Sequence, residues 1–148
     1  KRQELDFDFD KVKEKTKENP VFYVQYAFAR INSILRILNK KLDNKIKMNS
    51  ELIEFNEIER KIIRKIFEWP KIIDSASYNY ELHKIPYYLY ELSTLFHSYW
   101  SKGNEDKNYK FIENNKIKRI EILIIINLVA IVIQNGMRIL GVSLPDKM

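Results

Sequence analysis

The sequence predicts an all-α protein: a bundle of four to five main helices joined by short loops and ending in a non-helical tail. Three observations carry this. Apolar residues recur at helical spacing in successive blocks of the chain. Glycine and proline are scarce, three and four in 148 residues, too few for the many turns of a β-rich protein. All but Gly136 stand, with asparagine, where helices start or stop. The length suits one domain, 1–148, with residues 1–18 as an extended lead-in and 142–148 as a C-terminal tail. A chain of this size buries about 68–70% of its unfolded surface, enough for a core without staples.

Taken in order, "LDFDFD" (Leu5 to Asp10) alternates apolar and acidic residues and reads as a short strand or an extended lead-in. Its three acids, Asp6, Asp8 and Asp10, fit a solvated edge better than a metal site, since no EF-hand spacing follows. Asn19 caps a helix whose first turn holds Pro20, where a missing N–H costs nothing; it runs to about Leu38. "NKKLDNKIKMNS" (Asn39 to Ser50) is a polar, basic loop. Asn56 followed by Glu59 forms a capping box that opens a helix to about Trp69, with Ile58, Ile62, Ile66 and Trp69 at helical spacing. Pro70 breaks or kinks it, and a short helix over 72–80 follows.

Pro86 belongs in the first turn of the next helix, on which Leu89, Leu92, Phe96 and Tyr99 share one face. Gly103 and "NEDKN" end it in a mobile loop. The last helix runs from about Asn114 to Leu140, with Gly136 inside and Gly141 as its stop, and Pro145 keeps the tail "VSLPDKM" non-helical. Within that helix the apolar run Ile120 to Ile133 spans 14 residues and includes Glu121 and Asn127. It falls short of the ~20 residues needed to cross a bilayer and predicts a buried helix.

Composition narrows the function classes. The chain has no cysteine, which excludes disulfides and thiolate metal sites and makes an intracellular setting the default. The net charge of +6 favours acidic partners such as nucleic acid or an anionic membrane, although a Lys/Ile/Asn-rich composition also follows from an AT-rich genome. A charged start at Lys1 in place of Met points to a piece of a longer protein.

One short stretch raises a functional question. In "NPVFYVQYAFARI" the positions Val24, Ala27, Phe28, Ile31, Leu35 and Leu38 share one side of a helix, the core stripe. Tyr23, Tyr26 and Arg30 share another, turned by roughly a quarter-circle, while Gln25, Asn32 and Arg36 take the solvent side. Two tyrosines and an arginine can extend the core and cap a helix end. They can equally offer flat π faces and a planar cation to an unpaired base and its phosphate. "FHSYW" repeats the theme with Phe96 and Trp100 one turn apart, Tyr99 on the core side, and Trp100 open to the same two readings. His83 and His97, with no second ligand at metal spacing, read as surface or hydrogen-bonded residues. No phosphate-cradling Gly-rich loop, GxSxG or HExxH occurs, and no catalytic residues are assigned.

Several segments resemble the helical DALR-type anticodon-binding domain of arginyl-tRNA synthetases: "LDFDFDKVKEKTKENPVFYVQYAFARI", "HKIPYYLYELSTLFHSYW", "AIVIQNGMRILGVSLP" and the closing "DKM". The resemblance covers nearly the whole chain, in order. It implies a parent enzyme that uses ATP to charge tRNA with arginine in the cytoplasm, through a catalytic domain of the same chain whose HIGH and KMSK signatures do not appear here. It implies no metal and no cofactor within this segment, a tRNA(Arg) anticodon stem-loop as partner, no membrane, and a monomer. Carried over residue by residue, the RNA-binding set is Tyr23, Tyr26, Arg30, Phe96, Trp100 and Met148, with Lys147 beside Arg30 on phosphates. The chain departs from the family at Phe28, where His is usual, and at Ser93 and Leu144, where Ala is common. All arginine anticodons share a central C, so one pocket between the first helix and the tail, closed by Met148, would serve every isoacceptor. The alternative is a helical protein-interaction module with no RNA role, its tyrosine strip docking a partner helix.

Overall fold

The computed structural model describes residues 19–42 and 54–148. The predicted lead-in with its three aspartates, and most of the Asn39–Ser50 loop, lie outside them. The described residues form five α-helices: α1 (Pro20–Ile37), α2 (Glu57–Phe67), α3 (Trp69–Tyr78), α4 (Lys84–Glu105) and α5 (Ile120–Ile139). A 3₁₀ turn at Lys107–Tyr109 and a two-stranded hairpin, β1 (Ile112–Glu113) and β2 (Lys116–Ile117), connect α4 to α5.

Side-chain caps and left-handed residues set half of the helix ends. Asn19 Oδ1 accepts from the backbone N–H of Val21 at 3.0 Å and Phe22 at 3.3 Å, satisfying donors that have no partner within the helix. At the other end Asn39 sits at φ 52°, and the N–H groups of Asn39 and Lys40 bond back to the carbonyls of Arg36 and Leu35. The same closure recurs after α5, where Gly141 at φ 69° is followed by a bond from Val142 N–H to Met137 O.

The helix α4 is central and packs against α1, α2, α3 and α5. Its stripe Leu89, Leu92, Phe96 and Tyr99 is fully buried, as are Ala27 and Ile31 of α1 and Ile125, Ile126, Val129 and Ile133 of α5. Each such Leu, Ile or Val stabilises the fold by about 1.5–3 kcal/mol relative to exposure. The helix α5 is 20 residues long and apolar enough to cross a membrane by length and composition, and two-thirds of its apolar window is buried. Buried Asn127 turns its amide back to Leu123 O at 2.8 Å, which lets a polar residue sit in this helix.

The Asn56–Glu59 capping box forms as predicted and does more than cap. Glu59 is fully buried. Its carboxylate accepts from Asn56 N–H at 2.8 Å, from Tyr99 Oη at 2.5 Å and from both terminal nitrogens of Arg119 at 3.2 Å. Burial and the bond to Glu59 push the Tyr99 hydroxyl far above the ordinary phenol range, so it stays a donor.

Three boundaries differ from the sequence-based expectation. Pro70 opens α3 at its second residue, so the break falls at Glu68 and not after Trp69. Gly103 lies inside α4, which continues to Glu105. A Cβ on Gly103 would stand 2.7 Å from Tyr109 O, so glycine here admits the returning 3₁₀ turn in place of a mobile loop. The last helix begins at Ile120, because Asn114 and Asn115, both at positive φ, form the two-residue turn between β1 and β2.

Candidate nucleic-acid interface

Three faces of α1 are in use, and the site grows from the second. Tyr23, Tyr26 and Arg30 line a depression of about 390 Å³ between α1 and α4, whose α4 wall is His97, Ser98, Trp100, Ser101 and Asn104. The Arg30 guanidinium lies over the Tyr26 ring at 4.4 Å and the Trp100 ring at 5.3 Å. It donates one hydrogen bond to Tyr26 Oη and another to His97 Nδ1, the latter at 3.2 Å. Arg30 therefore stands held between two aromatic faces, and the bonds use two of its five N–H donors.

His97, 7% exposed, is the floor of the depression. Its ring lies 4.5 Å from Tyr23 and 5.4 Å from Tyr26, and its Nε2 lies 3.3 Å from Tyr23 O. Burial raises the Tyr23 hydroxyl above its ordinary value, so it presents a neutral hydroxyl. On the outer side Phe22 stacks on Tyr26 with an interplanar angle of 5°.

A second depression of about 280 Å³ adjoins the first and shares Tyr26, Arg30 and Trp100 with it. It is completed by Ala29, Ser33, Ile34, Ile37 and the half-exposed Met148. Ala29 and Ser33, one turn apart, are small enough to leave room between the helix and the last residue. The tail reaches this place because the third face of α1 holds it. Gln25 Nε2 donates to Ser143 O at 2.8 Å, Arg36 Nη2 to Asp146 O at 3.2 Å, and Asn32 Nδ2 to Asp146 Oδ1 at 3.5 Å. The predicted solvent face of Gln25, Asn32 and Arg36 is thus a clamp for the C-terminal tail.

The structure brings five of the seven predicted site residues together: Tyr23, Tyr26, Arg30, Trp100 and Met148. Phe96 is a correction. It is fully buried against Phe111 and His97, so its ring supports the floor and has no face open to a base. Lys147 lies elsewhere, in a wider groove of about 710 Å³ with Arg36, Lys40, Lys41 and Asp146. His97, Ser98, Ser101 and Asn104 were not predicted. The signal was there for two of them: Ser98, inside the "FHSYW" stretch, and Ser101, just after it, stand three apart on α4. Among the described residues no group of three or more His, Asp or Glu side chains is placed to hold a metal ion.

A helical bundle that presents a half-buried aromatic groove around an immobilised guanidinium, and folds its own C-terminus into the wall, is built as a recognition domain. Comparison with known proteins gives it a family. The model of the DALR anticodon binding domain matches residues 24–148, and the chain belongs to that family. Arginine–tRNA ligase from Pelagibacter ubique is 48% identical over 145 residues, which cover 98% of this chain and 25% of that protein. A solved chain from Campylobacter jejuni, provisionally described as an arginyl-tRNA synthetase, matches with a TM-score of 0.73 and 27% identity over 96% of this chain and 29% of its own. Thermus thermophilus arginyl-tRNA synthetase shares the fold, with a TM-score of 0.69 and 20% identity over 96% of this chain and 23% of its own. The chain spans about a quarter of the length of the curated relatives it matches.

Proposed function

We propose that this chain is the anticodon-recognition domain of an arginine–tRNA ligase and reads the central C of the arginine anticodon. The aminoacylation, with its ATP, belongs to a catalytic domain of the same protein. The observation that carries the reading is the pair of adjoining depressions walled by Tyr26, Arg30 and Trp100, one of them closed by Met148. Sequence-specific RNA recognition favours unstacked loop bases, since A-form helices hide their base edges. Tyr23, Tyr26 and Trp100 supply ring faces for such bases. Arg30 supplies a fixed cation whose remaining N–H donors can grip phosphate. The Met148 side suits the base that must be identified: cytosine differs from uracil in its N4 donor and N3 acceptor, which backbone groups of the tail at 143–148 can read.

A titration with a cognate anticodon stem-loop, beside one with U in the central position, tests this at two salt concentrations. Binding should fall steeply with salt, because phosphate contacts release counterions, while the preference for C persists, because base contacts carry identity. Tyr26→Ala should weaken binding by about 1–3 kcal/mol. Equal affinity for both loops, or affinity indifferent to salt, would reject the reading in favour of a protein-docking module.

A further inference from the structure

We infer that the RNA groove continues past Tyr23 onto Tyr90 and Tyr87 of α4, a second stacking platform for unpaired nucleotides that flank the identified base. This rests on the proposed function and extends it along the strand.

Ring contacts carry the argument. From Trp100 the chain of contacts runs through Arg30 and Tyr26 to His97 and Tyr23. It does not stop there, because the Tyr23 ring lies 5.2 Å from the Tyr90 ring, tilted by 42°. Tyr90 is 38% exposed and Tyr87, three residues earlier on the same helix face, is 70% exposed. A structural tyrosine at the edge of a core would turn its ring inward; Tyr87 does not. The step between them is about 4.5 Å along the helix axis, a suitable offset for successive bases lying on successive rings.

Charge fits the same occupant. Beyond Tyr90 the α4 face continues as Thr94, Ser98 and Ser101, with no charged side chain. Glu91, one turn along from Tyr87, bonds Lys65 Nζ at 2.5 Å, a lysine it shares with Glu68 at 2.9 Å. A phosphate-bearing strand along Thr94, Ser98 and Ser101 meets rings and hydroxyls, and at the Tyr87 end the charge of Glu91 is offset in part by Lys65. Stacking on such rings is tolerant of sequence, since every base has a π face. The platform therefore adds affinity, and the pocket at Met148 keeps the task of identity.

The test titrates the whole chain and its Tyr87→Ala, Tyr90→Ala, double, Tyr26→Ala and Tyr78→Ala variants with one arginine anticodon stem-loop and its C-to-U partner. Tyr78 is 83% exposed and serves as the control outside the chain of contacts. The double variant should lose about fivefold or more in affinity, with the ratio between the two loops unchanged, and Tyr78→Ala should bind as the parent does. Wild-type binding by the double variant, alongside weakened binding by Tyr26→Ala, would overturn the platform and leave the site standing. Wild-type binding by Tyr26→Ala as well would overturn both. The exposed Tyr87→Ala change alone keeps the test decisive if Tyr90→Ala disturbs folding.

Discussion

Arg30 and His97 share a hydrogen bond, Nη1 to Nδ1 at 3.2 Å, and this contact fixes the state of the imidazole. A guanidinium only donates, so Nδ1 must be the unprotonated nitrogen. The proton then sits on Nε2, which donates to Tyr23 O at 3.3 Å. One neutral histidine on α4 thus ties both the cation and the backbone of the aromatic strip on α1. His97→Phe keeps a ring in the floor and loses both bonds. Its affinity for an anticodon stem-loop should fall by about 1.5–3 kcal/mol, the scale of a hydrogen bond to a charged group, with His97→Gln in between because its amide retains an acceptor and a donor. Parent-like binding by His97→Phe would show that Arg30 holds its place without the tether.

The seat of Met148 should separate identity from affinity. Ser33 lines the smaller depression and is one of the residues that leave it open. Ser33→Leu adds a branched side chain to a volume of about 280 Å³ without touching the clamp at Gln25 and Arg36. Discrimination between the cognate and C-to-U loops should collapse toward one while total affinity falls less. A variant that keeps full discrimination would place the identified base away from the tail.

What was legible in the sequence follows from how locally each feature is determined. Asn19 with Pro20, Asn56 with Glu59, and Gly141 are caps whose partners lie within a few residues, and all three stand where predicted. The core stripe of α4 obeys the 3.6-residue period and is buried as expected. The misses involve distant partners or a competing local signal. A polar helix face looks the same whether water or a peptide tail covers it, so nothing local marked Gln25 as the partner of Ser143, 118 residues away. Phe96 and Trp100 are one turn apart, and which of them lies inside depends on Phe111, whose ring meets both. The pair Asn114–Asn115 carried a hairpin signal that the long apolar run behind it masked.

Gly136 brings α5 close against Leu89 of α4. A Cβ there would stand 2.7 Å and 2.8 Å from the two methyl carbons of Leu89, a side chain with no exposed surface. Gly136→Ala gains helix propensity of about 0.8–1.0 kcal/mol, and overpacking of about 1–3 kcal/mol opposes it. Net destabilisation is expected in urea unfolding, with recovery in the double variant Gly136→Ala, Leu89→Val. A more stable Gly136→Ala protein would mean that the helices part more easily than this contact implies.

Removing the acid from the buried network should also destabilise the fold. Glu59→Ala leaves Arg119 with Glu121 as its carboxylate partner and takes from the buried Tyr99 hydroxyl its carboxylate acceptor. The Tyr99–Glu59 pair is then broken on one side, and a loss of about 1–3 kcal/mol follows from the buried hydroxyl's lost acceptor. Thermal melting would show it, and a shift no larger than that of a surface substitution would contradict the burial of this pair.

Glu81 supplies the pH dependence. It stands between α3 and α4, where Lys84 Nζ donates to its carboxylate at 2.5 Å, Ser75 Oγ at 2.7 Å and Asn79 Nδ2 at 3.4 Å. The Lys84 bond, then the Ser75 bond, lower its pKa from the ordinary 4.5 to about 2. A carboxyl depressed by folding binds its proton more readily in the unfolded chain, so its contribution is whole above about 4.5 and fades as pH falls toward about 2. Glu81→Gln, which cannot ionise, should therefore be less stable than the parent at neutral pH. The gap between their urea midpoints should close across that acidic window, and added salt should narrow it at every pH because the pair is partly exposed. A gap that stays constant down to pH 2 would assign the difference to shape or hydrogen bonding of the amide, and not to the charge that Lys84 and Ser75 hold in place.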